Sequence, residues 1–231
     1  MPQKRTPMPD TSDGDMQCLL DEIRQQVRDT GNFTGRQALD ERVIAALCKV
    51  PRHAFVPTEL RECAYLNQPL PIGYEQTISQ PYIVALMTDL IRPQAKDVVL
   101  EVGTGSGYQA AVLAELVQQV YSVEIVEELA AAARQRLLNQ GYQNVEIRSG
   151  NGHFGWPEHA PYDAIIVTAA ATEIPPRLIE QLRPGGRLVM PIGGRIYGQE
   201  LVLAVTDEQG RMIKKGGLRV AFVPMIGSPE E

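Results

Sequence analysis

A glycine-rich stretch near the middle of the chain constrains the fold more than any other feature. The mostly apolar run Val98–Val102 contains Glu101 and is followed by Gly103, Gly105 and Gly107 at alternate positions. An apolar strand that passes through a glycine turn into a helix is typical of the nucleotide-binding corner of a parallel α/β sheet. The glycines allow the backbone to approach a ligand closely.

The spacing of these glycines distinguishes two classes of nucleotide ligand. A dinucleotide-binding fingerprint, G-x-G-x-x-G, needs its third glycine at position 108, where this chain has Tyr108. The pattern here is G-x-G-x-G, with Glu101 two residues before the first glycine. It points away from a pyrophosphate and towards S-adenosylmethionine as the cofactor.

Strands and helices alternate after this corner, which predicts an α/β fold with a mostly parallel, doubly wound sheet. The predicted strands are 97–102, 120–125, 145–148, 162–168 and 188–192, and the predicted helices are 107–117, 127–140 and a third that Pro175 and Pro176 open. A turn is predicted at 183–186. The segments 200–206, 211–215 and 218–224, with a turn at 207–210, are typical of antiparallel strands that close one edge of the sheet.

The part of the chain before the corner predicts an N-terminal helical extension. The predicted helices are 16–30, 37–49, 58–64 and 81–91, and a long loop covers 66–80. Residues 1–15 contain three prolines and no apolar core, which predicts a flexible tail and neither a signal peptide nor a membrane anchor. We expect one domain over 16–231, with the helices and long loop in 16–96 and the cofactor-binding sheet and C-terminal strands in 97–231.

Charge and cysteine content limit the partners and the compartment. The 231-residue chain has a net charge of −6, which argues weakly against a nucleic-acid partner. Its three cysteines, Cys18, Cys48 and Cys63, are dispersed, and such a set favours reduced thiols in a cytoplasmic protein. We expect no membrane association, and the three histidines show no metal-ligand spacing.

Polar residues at the ends of consecutive predicted strands are the candidate cofactor ligands. Glu101 could meet the amino group of S-adenosylmethionine, Glu124 could hold its ribose hydroxyls, and Asn151, with Gly152 after it, would fall beside the base. Strand ends that converge on one crevice are typical of ligand sites in open α/β sheets. The alternatives are an ordinary glycine turn and, for Glu124, a solvated strand end.

Several further motifs, in this order along the chain, closely resemble the protein-L-isoaspartate O-methyltransferases. The resemblance covers roughly residues 35–226, and its most specific part is the loop from Thr77 to Pro81. The matching segments are Pro51–Pro57, Pro71–Tyr74, Thr77–Pro81, the glycine motif, Val123–Ile125, Gly155–Pro157, Tyr162–Ala170, Pro184–Gly186 and Phe222–Pro224.

The resemblance implies a Rossmann-like, S-adenosylmethionine-dependent methyltransferase. Its expected activity is methylation of the α-carboxylate of L-isoaspartyl residues in damaged proteins and peptides, which leads through a succinimide to repair. It also implies Ser79 as the catalytic residue, substrate binding by Thr77, Ile78 and Ser79, and a monomer. The alternative for Ser79 is that its side chain only caps the helix that starts at Pro81.

Two positions depart from the pattern of this family. Ile125 stands where the family often has a basic residue, and Asn151 stands where it usually has Asp. An amide oxygen accepts a weaker hydrogen bond than a carboxylate does. The sequence therefore predicts that Asn151→Asp would bind S-adenosylmethionine more tightly, by ~1 kcal/mol.

Two functions from other classes stay open at this point. A non-catalytic S-adenosylmethionine-binding module could have kept the fold, although the loop around Ser79 would then have no use. A nicotinamide-dependent dehydrogenase is disfavoured by Tyr108 and by the lack of an evident catalytic pair.

Overall fold

Seven α-helices and nine strands form the part of the chain that the computed structural model describes, which is residues 13–194, 198–207 and 212–228. The α-helices are α1 (Asp13–Asp29), α2 (Gly31–Thr34), α3 (Glu41–Lys49), α4 (Pro81–Ile91), α5 (Tyr108–Ala114), α6 (Glu127–Gln140) and α7 (Pro176–Glu180). The strands are β1 (Leu70–Gly73), β2 (Gln76–Ile78), β3 (Val98–Val102), β4 (Gln119–Glu124), β5 (Val145–Ser149), β6 (Tyr162–Val167), β7 (Leu182–Gly194), β8 (Gly198–Thr206) and β9 (Met212–Val220). Single 3₁₀ turns lie at Arg52–Phe55, Thr58–Cys63, Gly152–Phe154 and Pro157–His159.

Seven of these strands form one sheet in the order β5-β4-β3-β6-β7-β8-β9. The five strands from β5 to β7 pair in parallel, and β8 and β9 add antiparallel pairs at one edge. The strand order reverses between β3 and β6, which is where ligands bind in open α/β sheets. The predicted mostly parallel sheet with antiparallel C-terminal strands and an N-terminal helical extension is confirmed.

Helix α4 connects the N-terminal helices to the sheet. All eleven of its residues are buried, and it packs against α1 and α3 on one side and β6 and β7 on the other. The core on this side of the sheet is continuous from Ile23 of α1 through Leu86 of α4 to Val99 of β3. Leu100 points to the opposite face, where it packs in a second core that includes Leu178 of α7.

The predicted loop over 66–80 is wrong in its centre, because it contains the hairpin of β1 and β2. Two residues at positive φ, Tyr74 (+52°) and Glu75 (+57°), form the tight turn. Such turns normally use Asn or Gly, so no residue here indicates a hairpin. The hairpin lies on the loop Gly103–Gly107, which we call the glycine loop. A Cβ added at Gly105 would be 3.3 Å from the Ile72 Cδ1.

The edge of the sheet differs from prediction in two places. Residues 183–186, predicted as a turn, are an irregularity inside β7, since Leu182 pairs with Tyr162 and the next paired residue, Arg187, lies opposite Ala164. The two strands predicted at 211–215 and 218–224 are largely the single strand β9 (Met212–Val220), which carries a register shift opposite Leu201 and Val202. The prediction of strand over 221–224 is wrong.

The predicted tail over 1–15 lies largely outside the described residues, but its last three residues already belong to α1. Positions 208–211, part of the predicted turn and strand, also lie outside them. None of the described helices has the length and apolar composition that crossing a membrane requires.

Candidate functional site

A cavity lies where the carboxyl ends of β3, β4, β5 and β6 meet, and we call it the strand-end cavity. It is partly open to solvent, and its volume is about 60 Å³. Its floor includes Gly103, Gly105, Glu124 and Gly152. The predicted convergence of strand ends on one crevice therefore holds for these four residues.

The glycine loop approaches β6 more closely than a side chain would allow. Gly103 has a φ of +94°, and a Cβ there would collide with the Thr168 Oγ1. That hydroxyl donates to the Gly103 carbonyl at 2.7 Å, so the loop is tied to the end of β6. Gly107 serves packing instead, because a Cβ there would lie 3.4 Å from Ala133 and 3.3 Å from Leu137 of α6.

Glu124 ties the end of β4 to the same loop. It is 5 % exposed, one carboxylate oxygen accepts the Gly105 N–H at 2.7 Å, and the other accepts the Val126 N–H at 3.0 Å. The side chain is therefore no solvated strand end. Each oxygen keeps acceptor capacity on the side of the strand-end cavity.

Glu101 does not line the cavity, in contrast to the expected contact with a cofactor. It is completely buried beneath the glycine loop, where the Ser122 Oγ donates to one carboxylate oxygen and, among the described residues, the other has no partner. Ser122 also contacts the Thr104 hydroxyl. Burial, with a smaller contribution from the nearby charge of Glu124, raises the pKa of Glu101 to about 8.

Asn151 lies at the end of β5, but both ends of its side chain are occupied. Its Oδ1 accepts the His153 N–H at 3.0 Å, and its Nδ2 donates to the Ser228 carbonyl at 2.7 Å. The amide thus holds the C-terminal segment 223–228, whose residues Val223–Ile226 line the strand-end cavity. The neighbouring Gly152 lines the cavity itself.

A second cavity lies beside the edge strand β9, and we call it the edge-strand cavity. It has a volume of about 400 Å³ and is lined by Ser79, Gln80 and the run from Leu218 to Val223, among others. The capping alternative for Ser79 is not supported, because Gln80 is the N-cap of α4 and the Asn67 Oδ1 accepts the Tyr82 N–H of its first turn at 3.0 Å. Within the described part of the chain the Ser79 hydroxyl has no hydrogen-bond partner.

The two cavities meet at three residues, Thr77, Thr168 and Val223, which line both. Ile78 is buried and borders a small gap between Ser79 and the glycine loop. Sequence reasoning missed Thr168, although it follows β6 as the fourth converging strand end. It could not have found the segment 223–226, which returns to the site through a bridge between Ala170 and Pro224.

Comparisons with known proteins agree on one family. The family model described as "Protein-L-isoaspartate(D-aspartate) O-methyltransferase (PCMT)" matches residues 26–230. A relative from Syntrophobacter fumaroxidans, named protein-L-isoaspartate O-methyltransferase 2, is 56% identical over 90% of this chain and 85% of its own length. A relative of the same name from Polaromonas sp. is 57% identical over 90% of this chain and 99% of its own.

Solved structures give the same fold. One, titled protein-L-isoaspartate O-methyltransferase, matches 90% of this chain and 66% of its own length with a TM-score of 0.76 and 26% identity. A Plasmodium falciparum structure titled as a putative member of the same family, in complex with S-adenosyl-L-homocysteine, matches 92% of this chain and 98% of its own. Its TM-score is 0.75 at 24% identity, which supports the fold alone.

We predict that Gly103→Ala destabilises the protein more than Gly141→Ala, although both glycines have similar positive φ values, +94° and +86°. Alanine at 141 has open space around its Cβ and should cost about 1 kcal/mol for the backbone alone. Alanine at 103 must also displace the Thr168 hydroxyl, for a total of about 3 kcal/mol. Urea unfolding of the two variants measures the difference, and equal losses would contradict the close approach.

We also predict that Glu101→Gln changes the pH dependence of stability. The folded pKa of about 8 lies above the ordinary value of 4.5, so the folded state binds this proton more tightly. The wild-type free energy of unfolding should therefore fall relative to that of the variant as pH rises from about 4.5 to about 8. Denaturant titrations across this window measure it, with the exposed Glu146→Gln as the control that should track wild type.

Proposed function

The chain belongs to the protein-L-isoaspartate O-methyltransferase family, and we propose that its two cavities divide the reaction between methyl donor and acceptor. The enzyme transfers a methyl group from S-adenosylmethionine to the free α-carboxylate of L-isoaspartyl residues in damaged proteins, which initiates repair through a succinimide. The donor occupies the strand-end cavity in this proposal, and the isoaspartyl residue occupies the edge-strand cavity. The observation that carries it is that Thr77, Thr168 and Val223 border both.

The reaction asks little acid–base chemistry of the protein. A free α-carboxyl group has a pKa of about 3.5, so the nucleophile is already ionised at neutral pH. S-adenosylmethionine supplies the electrophilic methyl group on a sulfonium sulfur. The residues around Ser79 need only hold a carboxylate oxygen in line with that methyl group, and such alignment can lower a barrier by several kcal/mol. We assign this holding role to the Ser79 hydroxyl, assisted by Thr77 and Ile78.

The residues of the strand-end cavity fit the parts of the cofactor. Glu124 keeps two acceptor sites for ribose hydroxyls, and Gly103 and Gly105 leave room beside the backbone for the amino-acid part. Ile125 and Ile226, 38 % and 47 % exposed, line the cavity and offer apolar faces to a base. An apolar residue at 125 thus has a use that a basic residue would not serve.

Three other predicted cofactor residues act indirectly in this proposal. Glu101 holds the glycine loop from below through Ser122 and Thr104, Gly107 lets α5 pack on α6, and Asn151 holds the C-terminal segment over the cavity. Of the two predicted cofactor residues that follow β5, Asn151 and Gly152, only Gly152 then borders the cofactor directly.

We propose in addition that the enzyme works in the cytoplasm as a monomer. Cys18 and Cys48 are exposed free thiols, and Cys63 is a free, half-buried thiol, as suits a reducing compartment. Of the described large apolar side chains that are exposed, two line the strand-end cavity and the other five lie on five separate segments. Single exposed apolar residues on separate segments are common on monomeric proteins.

The test of this function is methyl transfer from labelled S-adenosylmethionine to two peptides that differ only in isoaspartate or aspartate. We expect transfer to the isoaspartyl peptide alone. Ser79→Ala should lower kcat/KM by about 10- to 100-fold, the cost of one hydrogen bond to a charged group, without changing cofactor affinity. The exposed Thr58→Ala is the matched control. Transfer to neither peptide, with cofactor still bound, would instead support the non-catalytic binding module.

The structure reverses the expected effect of Asn151→Asp. An aspartate can still accept the His153 N–H, but its second oxygen would face the Ser228 carbonyl where the amide now donates. We therefore predict that the variant binds S-adenosyl-L-homocysteine about 3- to 10-fold more weakly. Calorimetry decides it, with Asn144→Asp as control, because Asn144 donates to carbonyls away from both cavities. Tighter binding by Asn151→Asp would instead support the original hypothesis that residue 151 contacts the base directly.

A further inference from the structure

Arg52 is a completely buried cation that the reaction as described above does not use. It begins the 3₁₀ turn Arg52–Phe55 and is the largest fully buried side chain among the described residues. Within the described part of the chain no carboxylate forms an ion pair with it. Burial lowers its pKa to about 10, so it keeps its positive charge at neutral pH.

The guanidinium group of Arg52 bonds to three main-chain carbonyls. Its Nη1 donates to the Ala64 carbonyl, and its Nη2 donates to the carbonyls of Gln68 at 3.1 Å and Ser79 at 3.0 Å. These acceptors lie before and after the hairpin of β1 and β2. One rigid fork of donors therefore closes the whole segment 64–79 onto the 3₁₀ turn. A side chain of another shape could not make the same three bonds.

The same side chain lies between the segment 64–79, which we call the acceptor loop, and the helix α5 that follows the glycine loop. Its guanidinium carbon is 5.8 Å from the ring centre of Tyr108, the first residue of α5, and Phe55 packs edge-on against that ring at 5.5 Å. The positive charge of Arg52 thus contacts the main chain of Ser79 directly, and it is shielded from solvent.

The edge-strand cavity next to Ser79 is suited to an anion. Arg219, at its rim, is the one charged residue among the described residues that line it, and none of them is acidic. A buried cation satisfied only by neutral carbonyls keeps its net charge, and that charge attracts an anion brought close in a medium of low dielectric.

We propose that Arg52 is the positioning residue of the methyl acceptor. It fixes Ser79 through the main-chain carbonyl, and its charge favours the isoaspartyl α-carboxylate in the edge-strand cavity over a neutral group of the same shape. This inference rests on the proposed function of the two cavities. It gives the segment Pro51–Pro57, which carried the family resemblance, a role in the reaction.

The test compares two competitor peptides, one with an isoaspartyl α-carboxylate and one with the isosteric α-carboxamide. Wild type should bind the carboxylate at least about tenfold more tightly. In Arg52→Gln the ratio of the two affinities, carboxylate over carboxamide, should fall about fivefold or more, and kcat should fall as well. Arg52→Lys keeps the charge but not the fork, so it should keep the ratio within about twofold and still lose kcat. A purely structural role would weaken both peptides equally and leave the ratio unchanged.

Two further variants make the result specific. Arg136 donates to the Ser106 carbonyl in the glycine loop at 2.6 Å, so Arg136→Gln should weaken S-adenosyl-L-homocysteine binding and leave the peptide ratio unchanged. If Arg219→Gln removes the discrimination while Arg52→Gln keeps it, the rim residue carries the charge effect and the inference is wrong.

Folding and activity controls separate the remaining outcomes. A thermal shift with S-adenosyl-L-homocysteine reports whether each Arg52 variant is folded. If Arg52→Gln does not fold, Arg52→Lys decides alone, and a folded Lys variant that loses the ratio or keeps full kcat overturns the inference. Wild type that methylates no isoaspartyl peptide would instead refute the proposed function.

Discussion

Complete burial of α4 is the constraint on which both cavities depend. A helix with no exposed face must be packed on all sides, and α4 meets this condition by lying between the N-terminal helices and the strands β6 and β7. Close-packed interiors leave little freedom to slide. The residues just before the helix, Ser79 and Gln80, are therefore held at a fixed height above the sheet, next to Thr168 at the end of β6. The packing of one apolar helix sets the distance between acceptor loop and glycine loop.

Buried charges then hold the two loops in complementary ways. Glu124 is an acceptor and ties the Gly105 N–H of the glycine loop to the Val126 N–H before α6. Arg52 is a donor and holds the segment 64–79 by backbone carbonyls. Burying a charge costs free energy unless hydrogen bonds compensate, and here the backbone of a functional loop provides the compensation. Glu124 also lines the strand-end cavity, and Arg52 bonds to the main chain of Ser79, which lines the edge-strand cavity.

The sheet was predictable because its strands are apolar runs separated by turn residues and helical periods, and β3, β4 and β6 fall within two residues of prediction at each end. The hairpin was not, because Tyr74 and Glu75 adopt positive φ against their own preference. Packing of Ile72 on the glycine loop and a hydrogen bond from the Gln76 amide to the Tyr74 carbonyl support the turn, and both form only in the fold. The site was predictable where chemistry follows a strand end, as for Glu124. It was not predictable for Asn151, whose partner Ser228 lies 77 residues away, or for Glu101, whose burial depends on how the glycine loop folds over it.

The position of Tyr108 explains in physical terms why this corner of the sheet suits a methyl donor and not a dinucleotide. The third glycine of the dinucleotide fingerprint lets the helix pack closely on the strand. Here the first turn of α5 is covered, because the Tyr108 ring is 3 % exposed and packs against Phe55 and Arg52. The position of that glycine is taken by a ring that packs on the segment Arg52–Phe55. Tyr108 therefore departs from the dinucleotide fingerprint and also supports Arg52, whose bond to the Ser79 carbonyl fixes the residue that is proposed to hold the methyl acceptor.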